Sequence, residues 1–274
     1  MNNSRALLAL RYLALVVLAI LCVGPILIMF LTSFKTQSQT FTTGLSFFFV
    51  PTLENYRDVI FDSSFGRYLI NSLIVGVVAT LLTLLLGRMA SYGLARFSFA
   101  GRKTIAYATL MLRTVPLAVI AVPVFMIWSD WKLTNSLFGL ILLYVAVNLP
   151  FTIWLLYGFV LQVPVELEEA ASIDGCRPWK IFWRIVLPLI RPGLAAAAIF
   201  TFRIAWNEFI LALVLTDRST RTLPVAASLF VTDIGVEWGK LMALATLIAM
   251  PPLIFTFLAA RQVISGLTAG AVKG

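Results

Sequence analysis

Histidine is absent from this chain of 274 residues, and cysteine occurs only twice, at Cys22 and Cys176. Without histidine there is no imidazole metal ligand and no imidazole proton relay. Two distant cysteines make neither a disulfide framework nor a zinc site, so no metal is expected. Cys22 lies in an apolar run and reads as a small buried hydrophobe. Charge is scarce as well: charged residues make up 12% of the sequence, against 61% hydrophobic residues. A soluble domain of this length needs far more charge to cover its surface. No nucleophile–base set stands out, so no catalytic residue is assigned and a membrane enzyme is disfavoured. The net charge of +9 is not gathered into a basic cluster amid exposed polar sequence, so nucleic acid is not an expected partner. The simplest reading is one membrane-embedded domain over residues 1–274, with lipid as its solvent.

What is abundant is long apolar sequence. Six stretches, near 10–32, 68–88, 105–127, 137–157, 194–215 and 241–262, approach the roughly 20 residues needed to cross the hydrocarbon core. Each must be helical, because lipid satisfies no backbone polar group. An all-α polytopic membrane protein of six transmembrane helices is therefore expected. The first run is too long for the core of a signal peptide and reads as a retained helix. Lys and Arg are unevenly shared between the two sides. One side holds Arg5 and Arg11, then Arg88, Arg96, Arg102 and Lys103, then Arg177, Lys180, Arg184 and Arg191, and finally Arg261 and Lys273. The excess puts that side, and both termini, in the cytoplasm. Residues 33–67 and 216–240 become external, with a short surface helix expected around Glu54–Asp58.

A phosphate-binding loop needs Gly, four residues, then Gly-Lys-Ser/Thr. The segment Gly235–Leu241 is one residue short and ends in Leu, so no cofactor and no ATP site is expected in this chain.

The loop over residues 163–192 is too patterned for a plain connector. Pro164 suits a first helical position. Glu166, Glu168 and Glu169 follow in the first turns, where carboxylates complement the helix dipole. Leu167, Ala170 and Ala171 make a narrow apolar face, and Gly175 is placed to end the helix in a left-handed conformation. From Pro178 onward, Trp179, Phe182, Trp183, Val186 and Leu187 recur at helical spacing. Pro188 and Pro192 stop or kink the chain. Periodicity leaves two readings open: a helix pair lying on the membrane surface, or a lever that docks on a partner.

Glu169-Ala170-Ala171, three residues, Gly175, nine residues, then Ile185, one residue, Leu187-Pro188 resembles the EAA motif of binding-protein-dependent ABC importers, with Asp174 also common there. Ser33-Phe34-Lys35, Glu54-Asn55-Tyr56, Asn71-Ser72, Ala90-Ser91-Tyr92 and Trp206-Asn207-Glu208-Phe209 extend the likeness to permeases of the carbohydrate-uptake type. The resemblance implies the type I importer permease fold. It implies that Glu169, Ala170, Ala171, Asp174, Gly175, Ile185, Leu187 and Pro188 form a coupling element docking on an ATPase. The implied partners are a second homologous permease, two ATP-binding subunits carrying ATP and Mg, and an extracytoplasmic substrate-binding protein. The implied place is a bacterial inner membrane. The external loop would reach that binding protein, with Asp233, Glu237 and Trp238 as contact candidates.

Charges inside spans demand a reason, since each costs about 2.5–3.5 kcal/mol at the bilayer centre on insertion scales. At about 1.5 Å per residue, Arg113 lies about 12 Å into its span, Arg203 about 14 Å and Glu208 about 21 Å. With Asn148 and Asn207 they are the candidates for a substrate pathway. The alternative is a structural network in which Glu208 pairs with an arginine. Two arginines against one Glu leave a positive surplus, compatible with an acidic sugar derivative as cargo. An amino acid or osmolyte carried by the same machine remains open. So does an ion-coupled transporter, although the two related halves that such a fold commonly carries are not visible.

Overall fold

The computed structural model describes residues 2–41, 48–62, 64–233 and 235–271. Lys273 lies outside them, as do the side chains of Arg5 and Arg261. In chain order the helices are α1 (Asn2–Thr32), α2 (Gln37–Thr40), α3 (Glu54–Phe61), α4 (Phe65–Arg96), α5 (Arg102–Leu112), α6 (Leu117–Asp130) and α7 (Leu137–Leu161). Then come α8 (Val165–Ile173), α9 (Pro178–Ile181), a π-helical turn (Phe182–Val186), α10 (Leu187–Leu189), α11 (Arg191–Asn207), α12 (Ile210–Leu215) and α13 (Leu223–Ala227). A two-stranded antiparallel hairpin, β1 (Val231–Thr232) and β2 (Gly235–Val236), leads into α14 (Trp238–Ala271).

Among the described residues, four helices are long and apolar enough to cross a membrane alone, and up to six spans result if each of two bent pairs counts as one. Two of the expected spans are not single helices. The span over 105–127 is broken between α5 and α6, which meet at 99°. Pro116 has no N–H to continue α5 and holds the preceding residue away from helical geometry. The span over 194–215 is broken after Asn207, where Glu208 adopts an extended backbone. Prolines alone do not mark these breaks, since Pro123, Pro150, Pro251 and Pro252 all sit inside helices.

The chain divides into two compact units. One comprises Met1–Gly66 and Ala226–Met250. There the expected surface helix appears as α3, tied to the end of α1 by Asn55, whose Nδ2 donates to the carbonyls of Ser33 (2.9 Å) and Lys35 (2.8 Å). The hydroxyls of Ser33 and Tyr56 share a 2.7 Å hydrogen bond. Gly239 lies so close that a Cβ would fall 2.6 Å from the Asn55 amide. Cys22, expected to be buried, is exposed on α1, most of whose apolar surface is uncovered within the chain.

The other unit comprises Arg67–Val225 and Pro251–Gly274. Its larger core is built from α4, α6, α7, α11 and α12 around Val75, Leu140, Tyr144, Ala205 and Leu211. Asn71 donates to the carbonyls of Ser219 and Arg221, both at 3.0 Å, and the Ser72 hydroxyl accepts from the Leu223 amide at 2.8 Å. The start of α4 is thereby pinned to the turn before α13. In that turn the Asp217 carboxylate accepts from the Ser219 hydroxyl at 2.6 Å and from the Ser219 amide at 2.8 Å. These bonds, led by the hydroxyl, hold it below the ordinary carboxylate range.

Candidate functional site

The patterned loop folds as a short helix, a glycine turn and a second helix. α8 ends in a Schellman closure: the Cys176 amide donates to the Ala171 carbonyl (3.0 Å) and the Gly175 amide to that of Ser172 (3.0 Å). Gly175 sits at φ +78°, the left-handed conformation expected for it. A second core cluster clamps the loop, with Ala171, Ile181, Phe182, Val186 and Ile190 packed among Ala95, Val160 and Val163. The clamp is rotated from the stripe read in the sequence. Trp179 is 61% exposed, while Ile181, outside that stripe, is buried. The π-helical turn at Phe182–Val186 adds a residue to its turn and so shifts the register. It precedes Pro188, whose ring crowds the carbonyl four residues back in an α-helix.

The acidic start of α8 divides its labour. Glu169 is exposed, as are Ala170 and Asp174, whereas Glu168 is buried. Arg96, the last residue of α4, donates from Nε to Glu168 Oε1 at 2.6 Å. Its Nη2 donates to the carbonyls of Val160 (3.1 Å) and Val163 (2.8 Å) at the end of α7. Tyr92, one turn back on α4, donates its hydroxyl to Glu168 Oε2 at 2.8 Å. Both ionic side chains are about nine-tenths buried, at 11% and 10% exposed. One guanidinium thus fastens α4, α7 and α8 together. Sequence reasoning missed this joint: Glu168 was legible only as a dipole partner, and Arg96 only as a loop charge. Ile185, Leu187 and Pro188 are half-buried on the second helix.

The polar residues of the spans separate into two groups. Glu208 is buried at the break between α11 and α12. Its Oε1 accepts from the Leu211 amide (2.9 Å), and its Oε2 accepts from the Ala212 amide (3.0 Å) and the Tyr144 hydroxyl (2.8 Å). It satisfies the first amides of α12, and its partners are a phenol and two amides rather than an arginine. Asn148 is buried and donates to the Tyr144 carbonyl at 2.8 Å, while its Oδ1 has no partner among the described residues. Arg113, Arg203 and Asn207 are exposed. Asn207 Nδ2 donates to the Arg203 carbonyl at 2.9 Å. Arg113 is not inside a continuous helix but caps the end of α5 at the 99° bend. It lines a cavity of about 520 Å³ with Pro116, Ile120, Val147, Pro150 and Ile204 among its walls.

Of the candidates for contact with a binding protein, Asp233 is exposed between the hairpin strands and Trp238 is exposed at the start of α14. The Glu237 carboxylate is engaged by Lys240 at 2.9 Å, and Lys240 also reaches Asp58 at 3.3 Å.

Residues 83–267 match the family model described as the inner membrane component of binding-protein-dependent transport systems. The chain belongs to that family. The match covers the end of α4, the loop with its buried joint, and most of α14. Family members resembling it include the diacetylchitobiose uptake system permease of Streptomyces coelicolor, 40% identical over 261 residues, covering 94% of this chain and 95% of the relative. The sulfoquinovosyl glycerol transport system permease of Agrobacterium fabrum is 34% identical over 267 residues, covering 97% and 94%. Among solved structures, a bacterial ABC transporter that imports the acidic polysaccharide alginate superposes with a TM-score of 0.81, covering 96% of this chain and 98% of that chain at 20% identity. The fold is that of a type I ABC importer permease, a transport component rather than a catalyst.

Proposed function

We propose that this permease moves a sugar or sugar derivative, delivered by an extracytoplasmic binding protein, across a bacterial inner membrane by alternating access. It does so as one half of a pair with a second, homologous permease, on two ATP-binding subunits that hold ATP and Mg. Both termini and the loop over 163–192 face the cytoplasm, in line with the Lys and Arg asymmetry. The observation that carries the reading is the loop's build. Glu169, Ala170 and Asp174 are exposed on a helix whose other side is sealed by an ion pair and an apolar clamp. A stiff tip bearing small and acidic groups suits docking on an ATPase and transmitting its closure. In this reading Ala171, Ile185, Leu187 and Pro188 hold the tip, and Gly175 sets its angle. Asp233 and Trp238 are the residues best placed to meet the binding protein, since Glu237 is committed to Lys240.

The sugar assignment is supported by relatives named for diacetylchitobiose and sulfoquinovosyl glycerol. One of these cargoes is neutral and the other acidic, so the charge of this chain's cargo must be read from its own residues. The test is uptake by the complete complex in proteoliposomes. ATP-dependent accumulation of an oligosaccharide, abolished by omitting the ATPase pair, is expected. Accumulation of glycine betaine or an amino acid in its place would overturn the cargo, and uptake driven by an ion gradient alone would overturn the machine.

A further inference from the structure

Two arginines that belong to no ion pair among the described residues stand at either end of a pair of edge-to-face rings. The Arg113 guanidinium lies 4.7 Å from the centroid of the Phe151 ring. Phe151 meets Phe200 edge to face, with centroids 5.7 Å apart. The Arg203 guanidinium lies 5.8 Å from the centroid of Phe200. Three helices contribute: Arg113 from the end of α5, Phe151 from α7, and Phe200 and Arg203 from α11. Beside this ribbon is the cavity at the α5–α6 bend, of about 520 Å³, within the range of small-molecule sites. Arg113 lines it, and Pro150 and Ile204 in its wall adjoin Phe151 and Arg203 in sequence.

We infer that this Arg113–Phe151–Phe200–Arg203 ribbon is a subsite for an acidic sugar, such as a uronic acid or sulfonated sugar unit. The inference rests on the proposed sugar cargo and names its charge class. An arginine stacked on a ring keeps its N–H edge free and has lost part of its rotational freedom, so it presents a fork matched to a carboxylate or sulfonate. Aromatic rings offer the apolar face against which the C–H face of a pyranose packs. The only nearby carboxylate of α11 and its break, Glu208, is turned away into its bonds with Tyr144, Leu211 and Ala212 and does not neutralise Arg203. Two exposed cations with no counter-ion among the described residues are costly in a membrane protein unless water or an anionic ligand meets them.

The test uses the complete complex in proteoliposomes with two probes, digalacturonate and its neutral counterpart galactobiose. Uptake of digalacturonate is expected, with KM raised about tenfold or more by Arg113→Gln or Arg203→Gln, the size of losing one charge-assisted hydrogen bond. Arg203→Lys should recover only part of that loss, and copurification of the partner subunits should be unchanged. Uptake of galactobiose alone would overturn the acidic subsite and leave the sugar reading standing. Uptake of neither, with an amino acid or osmolyte accepted instead, would overturn both. Loss of the partner permease from the Arg113→Gln or Arg203→Gln complex would assign the arginines to the subunit interface and overturn the subsite.

Discussion

Arg96→Ala should release α8 from the rest of the chain without unfolding the bundle. The substitution removes the Nε bond to Glu168 and both Nη2 bonds to the carbonyls of Val160 and Val163. It leaves Glu168 buried with Tyr92 as its remaining side-chain partner. Stranding one member of a buried pair costs about 3–5 kcal/mol. That is comparable with the whole stability of a small domain, but only α8 and its neighbours share this joint. Because α8 has just nine residues and its other contacts are the small cluster around Ala171 and Val186, the loss should appear as local opening. Hydrogen exchange read by mass spectrometry on peptides covering 165–176 should accelerate from about 10²-fold to a few thousand-fold, a tenfold change for every 1.4 kcal/mol. Peptides from α7 residues 139–148 should be unaffected. Arg96→Lys should fall between, since one ammonium cannot serve the carboxylate and two carbonyls in the same fork geometry. Exchange within threefold of wild type for Arg96→Ala would refute the joint as the mooring of α8. If the loop is the coupling element, the same variant should hydrolyse ATP in the assembled complex without matching transport.

Gly175→Val should cost about 1–2 kcal/mol through the backbone alone, because nothing lies within 4 Å of an added Cβ but φ is +78°; transport should fall while membrane insertion stays normal, and normal transport would refute the lever. Tyr144→Phe should lower thermal stability by about 1–2 kcal/mol, and Glu208→Ala by more, since two amides of α12 lose their acceptor; equal melting temperatures for the three proteins would contradict the reading of Glu208 as structural. Gly239→Ala should loosen α3 by displacing Asn55, so protease cleavage near 52–61 should quicken, and an unchanged digest would oppose it. The Asp217 turn has a depressed carboxylate pKa, so its contribution is present above the ordinary Asp range and fades as pH falls through the lowered value. Side-chain carbonyl NMR of a protein labelled at Asp should show Asp217 titrating below the free Asp value, and a normal or raised midpoint would reverse the assignment.

The long apolar runs foretold where helices lie, because length and lipid leave the backbone no other choice. The build of the loop over 163–192 was legible too: the Glu-rich first turn, Gly175 and the proline pair each act within a few residues of themselves. What sequence spacing could not carry was contact between distant elements. Glu168 and Glu169 are chemically the same residue type side by side, and only the fold, by bringing Arg96 and Tyr92 to one of them, separates an anchor from a free surface acid. The break at Arg113–Pro116 had a local signal in Pro116, but prolines inside described helices, at Pro25, Pro123, Pro150, Pro251 and Pro252, diluted it. The break at Glu208 had none, because apolar residues continue on both sides. The aromatic clamp slipped by the width of a π-helical turn, which no 3.6-residue template contains.

The bend between α5 and α6 also draws a shoreline. A helix that stops inside hydrocarbon strands its last carbonyls and the first amides of the next helix, and lipid offers them nothing. Thr114 answers one such need with its own hydroxyl, which donates to the Met111 carbonyl at 2.8 Å. The backbone answers others: the Arg113 amide donates to the Leu110 carbonyl (3.2 Å), the Thr114 amide to that of Met111 (3.0 Å) and the Val119 amide to that of Pro116 (3.0 Å), so what remains falls to water or to a neighbouring subunit. A bend held within the bilayer would therefore mark a depth that polar surroundings must reach, whichever way the assembled permease faces.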